Sequence, residues 1–276
     1  MSTADLTKLF GLSGKTALVT GGSSGIGGVM ISRGLLQAGA EVIISSRKAD
    51  KCEQVVAELS QFGSIRAIPP ADLSRQDECK RLAAEVLAGA DKLDILVNNA
   101  GGATWGGEPL ESFPTSAWDK ALDLNVKSPF WLVQELVGAL RNAATADDPA
   151  RVINIGSIDG IQVPVMNTYS YSASKAAVHQ LTRVLAKELG PPQHITVNAV
   201  APGPFQSKMM AATLDAFGGD AIAASSPLGG RIGRDDDMAG IAVFLASRAG
   251  SYVNGGAIIP VDGGMATTAS GSSSRS

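Results

Sequence analysis

Short runs of apolar and β-branched residues alternate with longer stretches of helical spacing along almost the whole chain. The runs are 16–20 (TALVT), 41–45 (EVIIS), 65–68 (IRAI), 93–99 (LDILVNN), 151–155 (RVINI), 195–200 (ITVNAV) and 257–261 (AIIPV). Most are apolar at nearly every position rather than every second one, as strands covered on both faces must be. Between them, 52–59, 81–87 and the set Val178, Leu181, Leu185 and Leu189 repeat at intervals that place apolar side chains on one helix face. Strand and helix in alternation predict an α/β fold. The expected form is a single doubly wound domain, with a seven-stranded, mostly parallel sheet and helices on both faces. No repeat or linker divides the chain. The expected organisation is a lead-in over 1–12, one domain over 13–265 and a Ser-rich, flexible tail over 266–276.

Charge and composition narrow the function. Lys and Arg total 23 against 26 Asp and Glu, a net charge of −3, in a chain of 276 residues. That leaves no basic stripe for nucleic acid or anionic lipid. Two cysteines, Cys52 and Cys79, and two histidines, His179 and His194, are too few for a disulfide framework or a His-rich metal site. Residues 1–12 carry Asp5 and Lys8 and lack the apolar core of a signal peptide, and no run reaches the roughly 18–20 residues of a membrane span. The expectation is a cytoplasmic protein acting on a small molecule, without nucleic acid, membrane or metal.

Ligands of doubly wound sheets bind beyond the carboxyl ends of the strands. After the first run stands Gly21-Gly22-Ser23-Ser24-Gly25-Ile26-Gly27, leading into a helical pattern that lasts to about Ala38. Glycines at 21, 25 and 27 permit a tight turn and close approach of backbone to a diphosphate, with the positive end of a helix behind it. After the second run, Ser45-Ser46-Arg47-Lys48 replaces the carboxylate that would accept hydrogen bonds from a ribose 2′-hydroxyl. Hydroxyls and a guanidinium suit a 2′-phosphate, so the cofactor expected is NADP(H); the alternative is that Arg47 and Lys48 form a solvated helix start. Asp72, after the third run, is a candidate partner for an adenine amino group. In Tyr171-Ser172-Ala173-Ser174-Lys175 a phenol and an ammonium share one helix face, and the nearby charge is expected to lower the tyrosine pKa towards working pH. That makes Tyr171 a general acid or base without histidine. Tyr169 has Ala173 four residues on and lacks such a partner. Ser157 follows the fifth run, placed to donate to a substrate carbonyl. Asn98-Asn99-Ala100-Gly101 ends the fourth, Asn125 begins a helical run, and Pro202-Gly203 follows the sixth.

The ordered set TGGSSGIG (20–27), NNAG (98–101), Asn125, Ser157, YSASK (171–175), APG (201–203) and VDGG (261–264) resembles the short-chain dehydrogenase/reductase family, over about 12–265. The resemblance implies a Rossmann-type fold and a catalytic tetrad of Asn125, Ser157, Tyr171 and Lys175. In it Tyr171 protonates the substrate oxygen, Ser157 polarises the carbonyl, Lys175 also binds the nicotinamide ribose and Asn125 holds a relay water. It implies cofactor contacts from Gly21, Ser23, Ser24, Gly25, Ile26 and Gly27, then from Ser46, Arg47 and Lys48. Further contacts are implied for Asp72, Leu73, Asn99, Ala100 and Gly101, and for Tyr171, Lys175, Pro202, Gly203 and Phe205. Within the family the chain is similar to rhamnolipid-type NADPH-dependent 3-oxoacyl reductases, on PARVINIGS (149–157), Tyr169-Ser170-Tyr171, HQLTRVLAKEL (179–189) and APGPFQSKM (201–209). Ser24 departs from relatives that carry Arg in the glycine loop, leaving the 2′-phosphate to Arg47. A ketone or alcohol substrate, a homodimer or homotetramer and a substrate lid over 204–233 also follow from the resemblance. Phe205, Met209, Met210 and Phe217 either line an apolar site or pack the lid's own helix, and Ile158, Val163 and Met166 are placed to touch substrate. Trp105 is placed to border the cleft. Alternatives are a sugar or polyol dehydrogenase of the gluconate 5-dehydrogenase type, and a non-catalytic dinucleotide-sensing protein, which retention of all four tetrad residues argues against. His179, Trp118 and Trp131 are expected to pack. Asp235-Asp236-Asp237 is expected to cap a helix.

Overall fold

A computed structural model describes residues 5–267 apart from 69, 103–107, 165, 208, 209, 211–213 and 215–217. Met209, Phe217 and Trp105, and all but the first two residues of the expected tail, lie outside the described residues. Seven strands, β1 (Thr16–Thr20), β2 (Glu41–Ser45), β3 (Ile65–Ala67), β4 (Ile95–Asn98), β5 (Ala150–Ile155), β6 (Ile195–Pro202) and β7 (Ile258–Val261), form one sheet in the order β3-β2-β1-β4-β5-β6-β7. Every pairing is parallel. The strand order reverses between β1 and β4, which opens the crevice where such sheets bind their ligands.

Alternation along each strand feeds two separate cores. Ala17 and Val19 of β1, Val42 and Ile44 of β2 and Ile95 and Val97 of β4 face one side with α2 (Ser32–Gln37), α3 (Ala49–Leu59) and α9 (Asp235–Ala246). Leu18, Ile43 and Leu96, the residues in between, face the other side with α4 (Gln76–Leu87), α6 (Ser128–Ala143) and α7 (Tyr169–Leu189). Both sets are apolar because neither face meets water, which is why the runs read as continuous. The remaining helices are α1 (Leu6–Phe10), α5 (Ser116–Leu122) and α8 (Gly219–Ala224), the last within the expected lid. Among the described residues no helix is long and apolar enough to cross a membrane.

Two expectations change here, for Trp118 and Asn125, and that of the acidic cap is met by Asp237 from within the helix. Trp118 is exposed on α5 rather than packed in a core. The acidic triplet lies inside the first turn of α9: Arg234 is the N-cap, and Asp237 reaches back to accept from its backbone N–H at 2.8 Å while pairing with Arg231. Asn125 does not begin a helix. It sits in a π-helical segment (Asp123–Lys127) inside one continuous helical stretch from α5 to α6, a wide turn that re-aims a side chain.

Candidate active site

The glycine turn is held by its neighbours across the crevice. Gly21 and Gly25 take φ of +67° and +61°, conformations that side chains rarely adopt. Asn99, at the carboxyl end of β4, donates through Nδ2 to the carbonyls of Thr20 (2.9 Å) and Gly21 (3.3 Å). A Cβ at Gly27 would collide with this same amide. Thr20, which opens the TGGSSGIG motif but had no role assigned to it, anchors the other side: its hydroxyl accepts from the N–H groups of Asn99 and Ala100, each at 3.0 Å. The helical stretch opens at Ile26 with no side chain capping its first turn, where the Gly28 N–H is taken up by the Ser24 carbonyl at 3.3 Å, and a helix start of this kind suits an anion. Ser23 and Ser24 lie on the turn.

At the end of β2, the Ser45 hydroxyl is buried without a partner, and Ser46 Oγ accepts from the Lys48 N–H at 3.2 Å. Arg47 and Lys48 are exposed, with Lys48 at the N-cap of α3. Asp72 engages Ser74 through both its N–H (3.2 Å) and hydroxyl (2.8 Å). Two expected contacts are limited to backbone. Leu73 is buried in the core beneath α4, and the Phe205 ring is buried against Gly233, so neither side chain faces the crevice. Val163 is almost wholly exposed, Ile158 is buried, and Met210 is half-buried. Pro202 closes β6, and Gly203 donates to Val261 at 3.0 Å with no room for a Cβ against Asp262.

The tetrad converges beyond β4 and β5. Ser157 follows β5 and lies close enough to the Tyr171 phenol to act on its titration. Lys175, one turn along α7, places Nζ 5.6 Å from the Tyr171 ring centre and donates to the Ile155 carbonyl at 2.8 Å. Gly101 is their common neighbour: a Cβ there would lie 3.2 Å from Asn125 Oδ1 and 3.4 Å from Lys175 Nζ. The Asn125 side chain is held by protein. Its Oδ1 accepts from Gly102 N–H (3.0 Å), and its Nδ2 donates to Gly102 carbonyl (3.1 Å) and Ser174 Oγ (2.9 Å). Through these three bonds it braces the loop after β4 against α7. Ser174 completes that brace by donating to the Tyr171 carbonyl at 2.7 Å. Its place within YSASK was visible, but not its role. Behind them a buried ladder runs from Asn98 to Asn154 (2.8 Å) and on to Thr182 (2.9 Å), tying β4, β5 and α7 together.

The electrostatics correct the expected tyrosine. Burial pushes the Tyr171 phenol up to about 12, the neighbouring Ser157 hydroxyl opposes this, and the nearby Asp159 carboxylate adds to it. Burial likewise pulls Lys175 down to about 8, against the attraction of Asp159. Desolvation is the largest cause and Asp159 acts the same way, so the phenol keeps its proton at neutral pH. Tyr169 instead stacks edge-on against Phe113, with ring centres 5.1 Å apart. His179 is buried one turn beyond Lys175. Burial and the Lys175 charge push it down to about 4, and its Nε2 has no partner.

This fold and this arrangement of Ser, Tyr and Lys define a pyridine-nucleotide oxidoreductase class. The chain belongs to the short-chain dehydrogenase family, whose model matches residues 15–216. It is 50% identical over 257 residues to the rhamnolipids biosynthesis 3-oxoacyl-[acyl-carrier-protein] reductase of Pseudomonas aeruginosa, covering 93% of this chain and 98% of that one. The solved RhlG/NADP active-site complex from the same organism superposes with a TM-score of 0.88 at 49% identity, covering 94% and 99% of the two chains. Gluconate 5-dehydrogenase of Gluconobacter oxydans is 33% identical over 259 residues, covering 93% and 96%.

Proposed function

We propose that this enzyme is an NADP(H)-dependent carbonyl reductase that converts the keto group of a 3-oxoacyl thioester, or a similar ketone, into an alcohol. The observation that carries this reading is the meeting of Ser157, Tyr171 and Lys175 at the end of β5, with a protonated phenol among them. A phosphorylated dinucleotide fits the residues present. The uncapped first turn after Gly25 suits the diphosphate, and the exposed Arg47 beside the orphaned Ser45 hydroxyl suits a 2′-phosphate. When bound, the cofactor supplies the hydride. The chain's own groups handle the proton: Ser157 donates to the substrate carbonyl, and Tyr171 delivers a proton to its oxygen as negative charge develops there. Lys175 supplies positive charge next to that oxygen. Asn125 acts by position, fixing the loop and helix that carry the others.

A 3-oxoacyl substrate is supported by the 50% likeness to the Pseudomonas enzyme, against 33% for the gluconate enzyme. A cytoplasmic homodimer or homotetramer is part of the same reading, supported by the exposed Trp118, Phe130 and Val184 on α5, α6 and α7, which a second copy could cover. Mixing the purified enzyme with NADPH and acetoacetyl-CoA tests the activity: the absorbance of reduced nicotinamide falls with time. Tyr171→Phe lowers turnover by about a thousandfold while NADPH still binds. Equal turnover in that variant rejects the reading.

A further inference from the structure

Asp159 lies two residues after Ser157, in the short 3-10 turn Ile158–Gly160. That turn rests directly on the catalytic helix. A Cβ at Gly160 would stand 2.7 Å from the Lys175 carbonyl carbon and 2.8 Å from the Ala176 nitrogen. The Asp159 N–H donates to Ser157 Oγ at 3.1 Å, so carboxylate and catalytic hydroxyl are carried on one rigid arc. The charge reaches the reacting groups, since it raises the pKa of both Tyr171 and Lys175. Burial in turn raises the carboxyl's own pKa, and Lys175 opposes that shift. Half-buried carboxylates ordinarily acquire hydrogen-bonding partners. Among the described residues the Asp159 carboxylate has none: only its backbone N–H is engaged. Lys175 is buried with Nζ on the Ile155 carbonyl, so Asp159 is the more accessible charge of the two.

We propose, on the basis of the reductase reading above, that Asp159 is a specificity-determining residue, which admits ketones flanked by a neutral ester or thioester and turns away the corresponding free keto acids. In a 3-oxoacyl thioester the group two carbon–carbon bonds from the ketone is uncharged. In the free acid it is a carboxylate, and by this proposal it enters the field of Asp159, two residues along the turn, when the ketone reaches Ser157. Two unit charges about 6 Å apart, at an effective dielectric constant of about 20–40, repel enough to lower kcat/KM by roughly ten- to a hundredfold. A neutral substrate escapes this term.

The test compares kcat/KM for ethyl acetoacetate and for acetoacetate, with NADPH and the full-length enzyme. The wild type prefers the ester. Asp159→Asn raises the acid-to-ester ratio about tenfold or more, and Asp159→Glu, which keeps the charge, leaves the preference in place. Added salt narrows the gap in the wild type and not in Asp159→Asn. An unchanged ratio in Asp159→Asn overturns the inference. Should that variant fail to fold, a wild-type ratio insensitive to salt overturns it instead. Reduction of neither substrate, nor of any thioester, by the wild type is a failure of the reductase reading itself; reduction of both without discrimination is a failure of Asp159 alone.

Discussion

Two buried cations touch the same strand at its two ends, and their surroundings are opposite. At the amino end, Arg151 of β5 donates to Asp148 at 3.0 Å and to the Ser247 carbonyl at 2.9 Å. Lys15 joins Asp148 (2.8 Å) to Asp94 (3.0 Å), and Asp94 accepts from the Thr16 N–H, so carboxylates knit the starts of β1, β4 and β5. At the carboxyl end, Lys175 has one carbonyl, that of Ile155, and no carboxylate within ion-pairing distance among the described residues. The first cation is paired through Nη2 with a carboxylate, although its Nε and Nη1 are buried without partners among the described residues, and it serves the sheet. The second is left unneutralised, and desolvation brings it down to about 8, where it can answer to charge that develops during a reaction. A paired charge resists change, whereas an unpaired one remains available to a ligand.

That contrast can be broken from either end. Lys175→Met removes the ammonium and lowers kcat by a hundred- to a thousandfold, while the thermal midpoint holds or rises, because a poorly compensated buried charge has gone. A lower midpoint would show that Lys175 contributes to stability as Arg151 does. Asp148→Ala does the reverse. It leaves Arg151 buried with only the Ser247 carbonyl and costs about 3 kcal/mol in denaturant unfolding, with kcat/KM unchanged while the chain stays folded. A third buried group is His179, packed by Gly156 and Gly160, whose folded pKa of about 4 lies below its ordinary value of 6.5. Below pH 6.5 the unfolded chain takes up a proton that the folded ring refuses, so stability falls as pH drops from 6.5 towards 4, by roughly 2–3 kcal/mol in all. His179→Gln flattens that slope, measured as unfolding midpoint against pH.

Much of the site was legible from local pattern. Glycines between a strand and a helix, Tyr and Lys four apart, and a serine after a strand keep their meaning because each depends only on neighbours in the chain. Asn125 was legible as a residue and not as a geometry: a π-helical segment leaves no clear mark in composition, and its partners Gly102 and Ser174 are distant in sequence. Thr20, Asn154 and Thr182 read as ordinary strand and helix residues until their hydrogen bonds across elements appear. Asp159 was invisible for a different reason. An aspartate in a loop reads as solvated, and only the packing of Gly160 on α7 brings it to the reacting groups.

From the sequence alone come the seven strands, the two apolar faces, the glycine turn and the candidate proton donor, since periodicity and short spacings are properties of contiguous residues. The tertiary structure alone decides which charges are paired and how far each pKa moves. The tyrosine shows this most clearly: its lysine neighbour in sequence points one way, and its burial among residues from β5 and α7 points the other. Burial wins because desolvation is set by everything packed around a group, and no stretch of contiguous sequence contains that information.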